Sequence, residues 1–261
     1  MKNNVTTRYQ YVDVKDLRVD VYQREVDHIR IKKMAKSFDE VLLGVITVSY
    51  RDGKYNVIDG QHRVMLCKAV GRKSLMAEVK EGMTLEEEAI YFNAFNGADG
   101  ESKPLKLYDS FRARVVAKDE ATLDINDIAH KNGLKFGKAN NNNTLSAYKT
   151  VFSIYKKEGS THLDRVFEII TSAWNGEAIS LHNMVLVGIS EFIKTYGAEE
   201  NYSDKTFSKQ LSKIDPQKLI REMKSDTTTV VTKVKAMNSL LKYYNLGLRK
   251  RIDKNLHFSM R

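Results

Sequence analysis

One short stretch of the chain holds residues whose types and spacing could bind an anion. The segment "YNVIDGQHRVMLCKAVG" covers residues 55–71, and in it an apolar run ends at Asp59 and Gly60 before a helical pattern starts. Glycine has no Cβ, so a backbone or a ligand can approach it closely. The first residues of a helix have N–H groups without intrahelical acceptors, and the helix dipole adds partial positive charge there. The junction therefore predicts a phosphate-binding corner.

Three polar side chains follow the glycine. Gln61 can hydrogen-bond to the polar edge of a ligand, His62 can donate to an oxygen, and Arg63 can make a planar, bidentate contact with phosphate. Asp59 can cap the helix, bind a ribose hydroxyl or help to hold a divalent cation. The alternative is structural: the glycine makes a tight turn, Asp59 caps the helix, and Arg63 pairs with Glu78 or with an acidic helix. The residues alone leave both interpretations open, because short motifs often occur by chance.

Patterns on both sides of the box predict a small α/β unit. The segments "YQYVDV", "GVITVSY", "YNVID" and "SLMAEVK" have the short apolar or alternating character of strands, the first of them an edge strand. Asp52 and Gly53 are the residues of a two-residue type I′ hairpin turn. A short helix is expected from Arg63 to Val70, with Gly71 at its end, and Thr84 with Glu87 forms a capping box for the next helix.

From about residue 102 the pattern becomes helical, with Ser102 as a candidate cap and Pro104 in the first turn. The apolar spacing predicts helices near 102–118, 124–132, 144–158, 162–174, 180–196, 204–213, from 216, and 227–245. The predicted fold class is therefore α+β. A small N-terminal α/β domain over residues 1–100 is followed by an all-helical domain over residues 101–261.

The formal net charge of +10 is concentrated in the last fifth of the chain. Residues 205–261 hold 14 Lys and Arg against 4 Asp and Glu. A basic, structured region indicates contact with nucleic acid or another polyanion. Lys242, Arg249, Lys250 and Arg251 are the candidate DNA-binding residues. A lysine-rich, solvated surface is the alternative, because charge runs are usually solvated.

Composition sets broad limits on the class of protein. The chain has 261 residues, of which 42% are hydrophobic, so it can bury a sizeable core. No apolar run approaches the ~20 residues that span a bilayer, and the first residues lack the apolar stretch of a secretory signal. Cys67 is the single cysteine, which excludes an intrachain disulfide and a cysteine-rich metal site. We therefore expect a soluble, cytoplasmic protein with no resident metal and no membrane partner.

The segment "VIDGQHRVMLCKAVG" resembles the nucleotide-binding segment of the ParB/sulfiredoxin superfamily, in particular its phage and mobile-element members with a DGQHR box. The preceding "VYQR" (residues 21–24), the hairpin around "RDG" and the later "EEEAIYFNAFN" are similar as well. The resemblance implies a ParB/sulfiredoxin-like fold for the N-terminal domain. It also implies that Gly60 and Arg63 contact the phosphates of a nucleoside triphosphate, CTP or ATP with Mg²⁺, and it adds Arg24 to the binding residues.

Departures from that superfamily limit the expected activity. Sulfiredoxins carry a catalytic cysteine where this chain has Gln61, and Cys67 is expected to be a core residue, so sulfiredoxin chemistry is not expected. ParB proteins follow the box with an E-N-x-x-R motif, whereas this chain offers Asn93 and Asn96 with no arginine before Arg112. The sequence also lacks an H-x-H, H-N-H or paired-carboxylate set, so a nuclease is not expected.

The leading hypothesis is a ParB-like, nucleotide-responsive, DNA-associated protein of a phage or mobile element. It would bind a nucleotide phosphate at the DGQHR box and DNA through the basic helical region. One rival is a phosphotransferase or nucleotide hydrolase, such as a triphosphatase, that uses the same pocket. The other is a non-enzymatic interaction protein whose box is only a turn. DNA is the expected partner, a homodimer is a further expectation, and catalytic residues stay unassigned.

Overall fold

The computed structural model describes residues 5–40, 43–96, 106–139, 141–227 and 231–253. The chain divides into two compact units, Met1–Thr122 and Leu123–Arg261. The first is a mixed α/β unit and the second is helical, which confirms the predicted α+β fold class.

The first unit is built on a five-stranded sheet with the strand order β1-β5-β3-β4-β2. Its strands are β1 (Thr6–Asp13), β2 (Leu17–Arg18), β3 (Ile46–Arg51), β4 (Lys54–Asp59) and β5 (Ser74–Glu81). β1 pairs antiparallel with β5 and β3 antiparallel with β4, whereas β5–β3 and β4–β2 are parallel pairs. The first predicted strand therefore lies at an edge, as expected. The sequence did not predict β2, because two residues are too few to show an alternating period.

Within the described residues, the helices of the first unit are α1 (His28–Lys36), α2 (Gln61–Val70), α3 (Leu85–Asn96) and α4 (Leu107–Val116). A fifth helix, α5 (Glu120–Lys131), begins in this unit and continues into the second. The sequence pattern placed the domain boundary at residue 100, between α3 and α4. In the structure these two helices pack together, with Phe92 and Ala113 in one apolar cluster, so the unit extends to Thr122. Ser102 and Pro104, the predicted cap and first-turn proline, lie outside the described residues.

Local signals produce the turns and helix ends around the sheet. Asp52 and Gly53 have φ values of 53° and 73°, as a type I′ turn between β3 and β4 requires. The Thr84 N–H donates to Glu87 Oε2 at 2.9 Å, and the Glu87 N–H donates to Thr84 Oγ1 at 3.2 Å, which is the predicted capping box. Gly71 ends α2 in the left-handed conformation with φ 73°.

In its described residues, the second unit is helical apart from one small feature. Two short strands, β6 (Lys135–Phe136) and β7 (Thr144–Leu145), pair in parallel, so the expected all-helical domain contains this one addition. Its further helices are α6 (Tyr148–Glu158), α7 (Ser160–Trp174), a 3₁₀ turn (Ala178–Leu181), α8 (Asn183–Tyr196), α9 (Asp204–Leu211), α10 (Pro216–Ser225) and α11 (Thr232–Tyr244). The core centres on the packing of α8 with α11. No helix in the described part of the chain combines the length and apolar character that crossing a bilayer requires.

Candidate functional site

The DGQHR box is the junction at which β4 ends and α2 begins. Gly60 is the N-cap of α2 with φ 100° and ψ 17°, a left-handed conformation that glycine adopts without steric cost. It offers no side chain to cap the first turn, so the leading N–H groups of α2 depend on other acceptors. The strand–glycine–helix junction is thus present, and the helix starts at Gln61 rather than at Arg63 as the pattern suggested.

The space that a side chain at Gly60 would need is already occupied. An ideal Cβ there would lie 2.4 Å from Ile46 Cγ2, 2.9 Å from Ile46 Cβ and 3.2 Å from Arg63 Nε. The sequence left open whether a backbone or a ligand comes close at this glycine. In the structure it is the side chain of Ile46 on β3 that makes the close approach.

The Arg63 guanidinium is held by the junction itself. Its Nη2 donates to Asp59 Oδ2 at 2.7 Å, and its Nη1 donates to the Val45 carbonyl at 2.6 Å. The side chains of Arg63 and Asp59 are 26% and 24% exposed, so solvent reaches the pair. The alternative partner, Glu78, bonds to Lys80 at 3.1 Å instead, and the glycine rather than Asp59 is the N-cap. A guanidinium has five N–H donors, so Arg63 keeps donors beyond these two bonds.

Gln61 ties the VYQR segment to the start of α2. Its Nε2 donates to the Arg24 carbonyl at 3.0 Å across 37 residues of sequence. Gln61 is only 5% exposed, and its Oε1 has no hydrogen-bond partner among the described residues. The buried Gln23 donates to the carbonyls of Val57 and Ile58 at 2.7 and 2.9 Å, which holds the same segment against β4. The backbone of Arg24 therefore lies at the first residue of the helix.

Charged groups crowd around the Arg24 side chain. Burial, followed by the neighbouring Arg30, lowers the pKa of the Arg24 guanidinium, while Asp59 and Asp109 act in the opposite direction. Asp109 reaches this place from α4, is 7% exposed, and has an Oδ1 without a hydrogen-bond partner in the described ranges. A buried acceptor without a donor costs about 1–3 kcal/mol. Gln61 and Asp109 thus each hold one buried oxygen without a donor among the described residues, Gln61 in contact with the Arg24 backbone and Asp109 within electrostatic range of its guanidinium.

The sequence reasoning missed the contribution of α4. The Arg112 Nη2 donates to the Val21 carbonyl at 2.9 Å, so an arginine far from the box in sequence contacts the VYQR segment. The available signal was the spacing of Asp109 and Arg112, three residues apart and hence on one face of a helix. His62, the remaining predicted residue, lies on the first turn of α2 and is half-buried.

The candidate DNA-binding residues lie at the end of the second unit and differ in their surroundings. Lys242 on α11 pairs with Glu222 at 3.4 Å. Arg249, Lys250 and Arg251 follow α11 and are all exposed. The four candidates therefore comprise one lysine in an ion pair and three consecutive exposed cations.

Cys67 is a core residue, as predicted. It is fully buried against the sheet, and burial raises the pKa of its thiol. A buried, protonated thiol is a poor nucleophile. In the part of the chain that the structure describes, no group of three or more His, Cys, Asp and Glu side chains could hold a metal ion.

The chain is similar to one protein family and to solved ParB N-domains. A family model described as "Family of unknown function (DUF6551)" matches residues 17–255. No curated protein matches the chain. The structure of the pNOB8-like ParB N-domain is 13% identical with a TM-score of 0.40, and the match covers 93% of this chain and 98% of that one. The C2221 form of a Pnob8-like ParB N-domain is also 13% identical, with a TM-score of 0.39 and coverage of 84% and 94%.

Proposed function

The chain belongs to DUF6551, a family of unknown function, and we propose from the geometry of the box that it is a nucleotide-responsive, DNA-associated protein. Its first unit binds a nucleotide phosphate at the junction of β4 and α2. Its second unit contacts DNA through the exposed cations that follow α11. The resemblance of the DGQHR segment to ParB-like proteins of phages and mobile elements suggests the same setting for this chain.

The observation that carries the proposal is the meeting of cations and unused acceptors at the start of α2. The guanidinium of Arg63 and the crowded Arg24 favour an anion, and the uncapped first turn adds N–H donors. Gln61 Oε1 and Asp109 Oδ1 are buried acceptors without a donor among the described residues, and solvent reaches neither atom. A nucleotide accepts hydrogen bonds through its phosphate and donates them through its ribose O–H and base N–H groups. It would meet Arg63 with its phosphate and would reach the two buried oxygens only where the side chains around them move apart.

Arg63 can engage a phosphate without unfolding the junction. Its ion pair with Asp59 is partly exposed, and such pairs are worth about 0–1 kcal/mol. A bidentate contact with a phosphate makes two charge-assisted hydrogen bonds, whereas Asp59 accepts one from Arg63. Arg63 would therefore gain a hydrogen bond by exchanging Asp59 for a phosphate.

Mg²⁺ would enter with the triphosphate rather than bind beforehand. Proteins usually hold Mg²⁺ through substrate phosphates together with one or two carboxylates. Asp59, once released by Arg63, is the carboxylate that could share the ion. We therefore include Mg²⁺ with CTP or ATP as the expected cofactor of this site.

A specific observation also favours the second candidate function, a non-enzymatic interaction protein whose box is only a turn. Each part of the junction already has a structural role, since Ile46 fills the space beside Gly60, and Arg63 bonds to Asp59 and to the Val45 carbonyl. If these roles explain the residues completely, no nucleotide binds.

Calorimetric titration with CTP, ATP, GTP and UTP, each with and without Mg²⁺, separates the two candidates. Arg63→Ala should weaken the binding of the best nucleotide about ten- to hundredfold, because one bidentate charge-assisted contact is lost. Arg63→Lys should restore only part of the affinity, since an ammonium cannot form the planar fork.

Arg72→Ala is the matched control. The Arg72 side chain is 24% exposed against 26% for Arg63, and it likewise bonds to one carboxylate, Glu40, and one backbone carbonyl, that of Ser74. Arg72 lies beyond the C-terminal end of α2, away from the uncapped first turn. Arg72→Ala should therefore keep the parent's affinity. No nucleotide binding by the parent, or equal affinity of Arg63→Ala and the parent, would leave the turn as the better explanation.

A further inference from the structure

The segment that follows α11 is a closed loop. The Asn245 Nδ2 donates to the Ile252 carbonyl at 2.8 Å, and the Ile252 N–H donates to Asn245 Oδ1 at 2.8 Å. One side-chain amide thus satisfies both backbone groups of one residue, as a neighbouring strand would. Ile252 is 5% exposed and belongs to the core of the second unit. Both ends of residues 246–251 are therefore fixed.

A second buried amide holds the beginning of this loop. Gln210 on α9 is 5% exposed, and its Nε2 donates to the Leu246 carbonyl at 2.6 Å. The chain then turns sharply, since Gly247 has φ 73° and the Leu248 N–H donates to the Asn245 carbonyl at 3.2 Å. The loop is thus bonded to two helices, α9 and α11, before its charged residues begin.

The loop presents its charge outward. Arg249, Lys250 and Arg251 are exposed in succession, while Leu248 and Ile252 on either side pack against the core. None of these three cations forms an ion pair with a residue that the structure describes. Three positive charges are therefore displayed on a short segment whose backbone is already ordered.

We propose that this loop, residues 246–251, binds the phosphate backbone of duplex DNA, and that Asn245 is its positioning residue. The inference rests on the DNA contact proposed above and adds that the contacting loop is ordered before DNA binds and that Asn245 holds it in place. Consecutive cations neutralise DNA phosphates and release counterions. A flexible segment would lose conformational entropy on binding, whereas a loop that is already closed in the free protein loses less. Asn245 thus acts on DNA affinity without touching DNA.

Fluorescence anisotropy of a short labelled duplex with the full chain, over a series of salt concentrations, tests the contact. The triple variant Arg249→Gln, Lys250→Gln, Arg251→Gln should reduce the dependence of log affinity on log salt by about 2–3, since up to three phosphate contacts are lost. The matched control, Lys149→Gln, Lys156→Gln, Lys157→Gln, removes the same charge from exposed positions on α6 and should leave that dependence unchanged.

The variant Asn245→Ala tests the positioning role, because it removes both clamp bonds and no charge. Affinity should fall about two- to tenfold, the effect of freeing a segment that must be ordered again on binding. The salt dependence should stay as in the parent, because the same cations still reach the phosphates. Asn201→Ala, at an exposed position, is the control for loss of an asparagine side chain. Thermal unfolding establishes that each variant is folded.

The outcomes distinguish this inference from the proposal on which it rests. No duplex binding by the parent, or binding to single-stranded RNA in preference to duplex DNA, overturns the DNA contact itself. Duplex binding that the triple loop variant leaves unchanged overturns the loop as the surface and spares the DNA contact. A folded Asn245→Ala that binds like the parent overturns the positioning role. If Asn245→Ala does not fold, the triple variant, which alters only exposed side chains, still decides whether the loop is the contact.

Discussion

Replacing Gly60 with alanine should destabilise the first unit through a collision with the sheet. The added Cβ would lie 2.4 Å from Ile46 Cγ2 and 2.9 Å from Ile46 Cβ, both well inside van der Waals contact. Ile46 is fully buried in β3 and belongs to the main apolar cluster of the unit. It therefore cannot withdraw without disturbing a close-packed core.

Two costs contribute to the expected loss. An L-residue in a left-handed conformation costs about 1–2 kcal/mol, and overpacking a core costs about 1–3 kcal/mol, so Gly60→Ala should lose about 2–5 kcal/mol in total. Gly71→Ala, at the other end of α2, separates the two. Gly71 has φ 73° and ψ 17°, but its added Cβ would meet no atom within 4 Å. That variant should lose only the first cost, about 1–2 kcal/mol.

Urea unfolding followed by circular dichroism measures both variants, and a double variant isolates the collision. Ile46→Ala costs about 2–5 kcal/mol on its own, because it leaves a cavity, but it also removes Cγ2, the nearer of the two atoms that Gly60→Ala would strike, and keeps Cβ. The double variant should therefore cost about 1–2 kcal/mol less than the sum of the two single variants, which is part of the overpacking cost. Equal losses for Gly60→Ala and Gly71→Ala, together with an additive double variant, would refute the reasoning. They would mean that β3 and α2 move apart freely, and that glycine is needed for its backbone conformation alone.

Cys67 should resist a thiol reagent in the native protein and react only on unfolding, because burial raises the pKa of its thiol; rapid native labelling would contradict this. Glu88→Gln should lower the free energy of unfolding by about 1.5–3 kcal/mol in urea, since the fully buried carboxylate accepts a bond from Arg51 at 3.0 Å; an unchanged midpoint would show that solvent compensates Arg51. The pKa of Glu222 is lowered, first of all by the hydrogen bond that it accepts from Tyr243. The Glu222 carboxylate therefore stabilises the fold above its unfolded pKa of about 4.3, and this stabilisation is lost as the pH falls through the folded pKa. The cost of Tyr243→Phe should therefore be present near neutral pH and shrink in acid, whereas a cost that does not vary with pH would argue against the linkage.

Local features of the first unit could be predicted from the residues alone. The turn at Asp52 and Gly53, the capping box of Thr84 with Glu87, and the end of α2 at Gly71 all appear as expected. Each depends on backbone angles and hydrogen bonds that span no more than a few residues, and such bonds form in nearly the same way in any fold. The strand–glycine–helix junction of the box is likewise a local feature that the residues alone predicted.

The chemistry around the box required the folded chain. Residues that meet there are far apart in sequence, as the bond from Gln61 to Arg24 illustrates at 37 residues and that from Arg112 to Val21 at 91. An apolar period indicates which face of an element is buried, but it carries no information about which polar side chain lies opposite. The buried acceptor of Asp109 could not be predicted from the sequence for this reason.

The role of single residues depended on packing in the same way. The sequence indicated that Gly60 allows a close approach, and only the register of β3 against β4 places Ile46 in that space. Asn245 looked like an ordinary polar residue at a helix end. Its clamp exists because Ile252 is drawn into the core, which brings both backbone groups of Ile252 within reach of one amide. A side chain's own chemistry limits which bonds it can form, and the core determines which partners come close enough to form them.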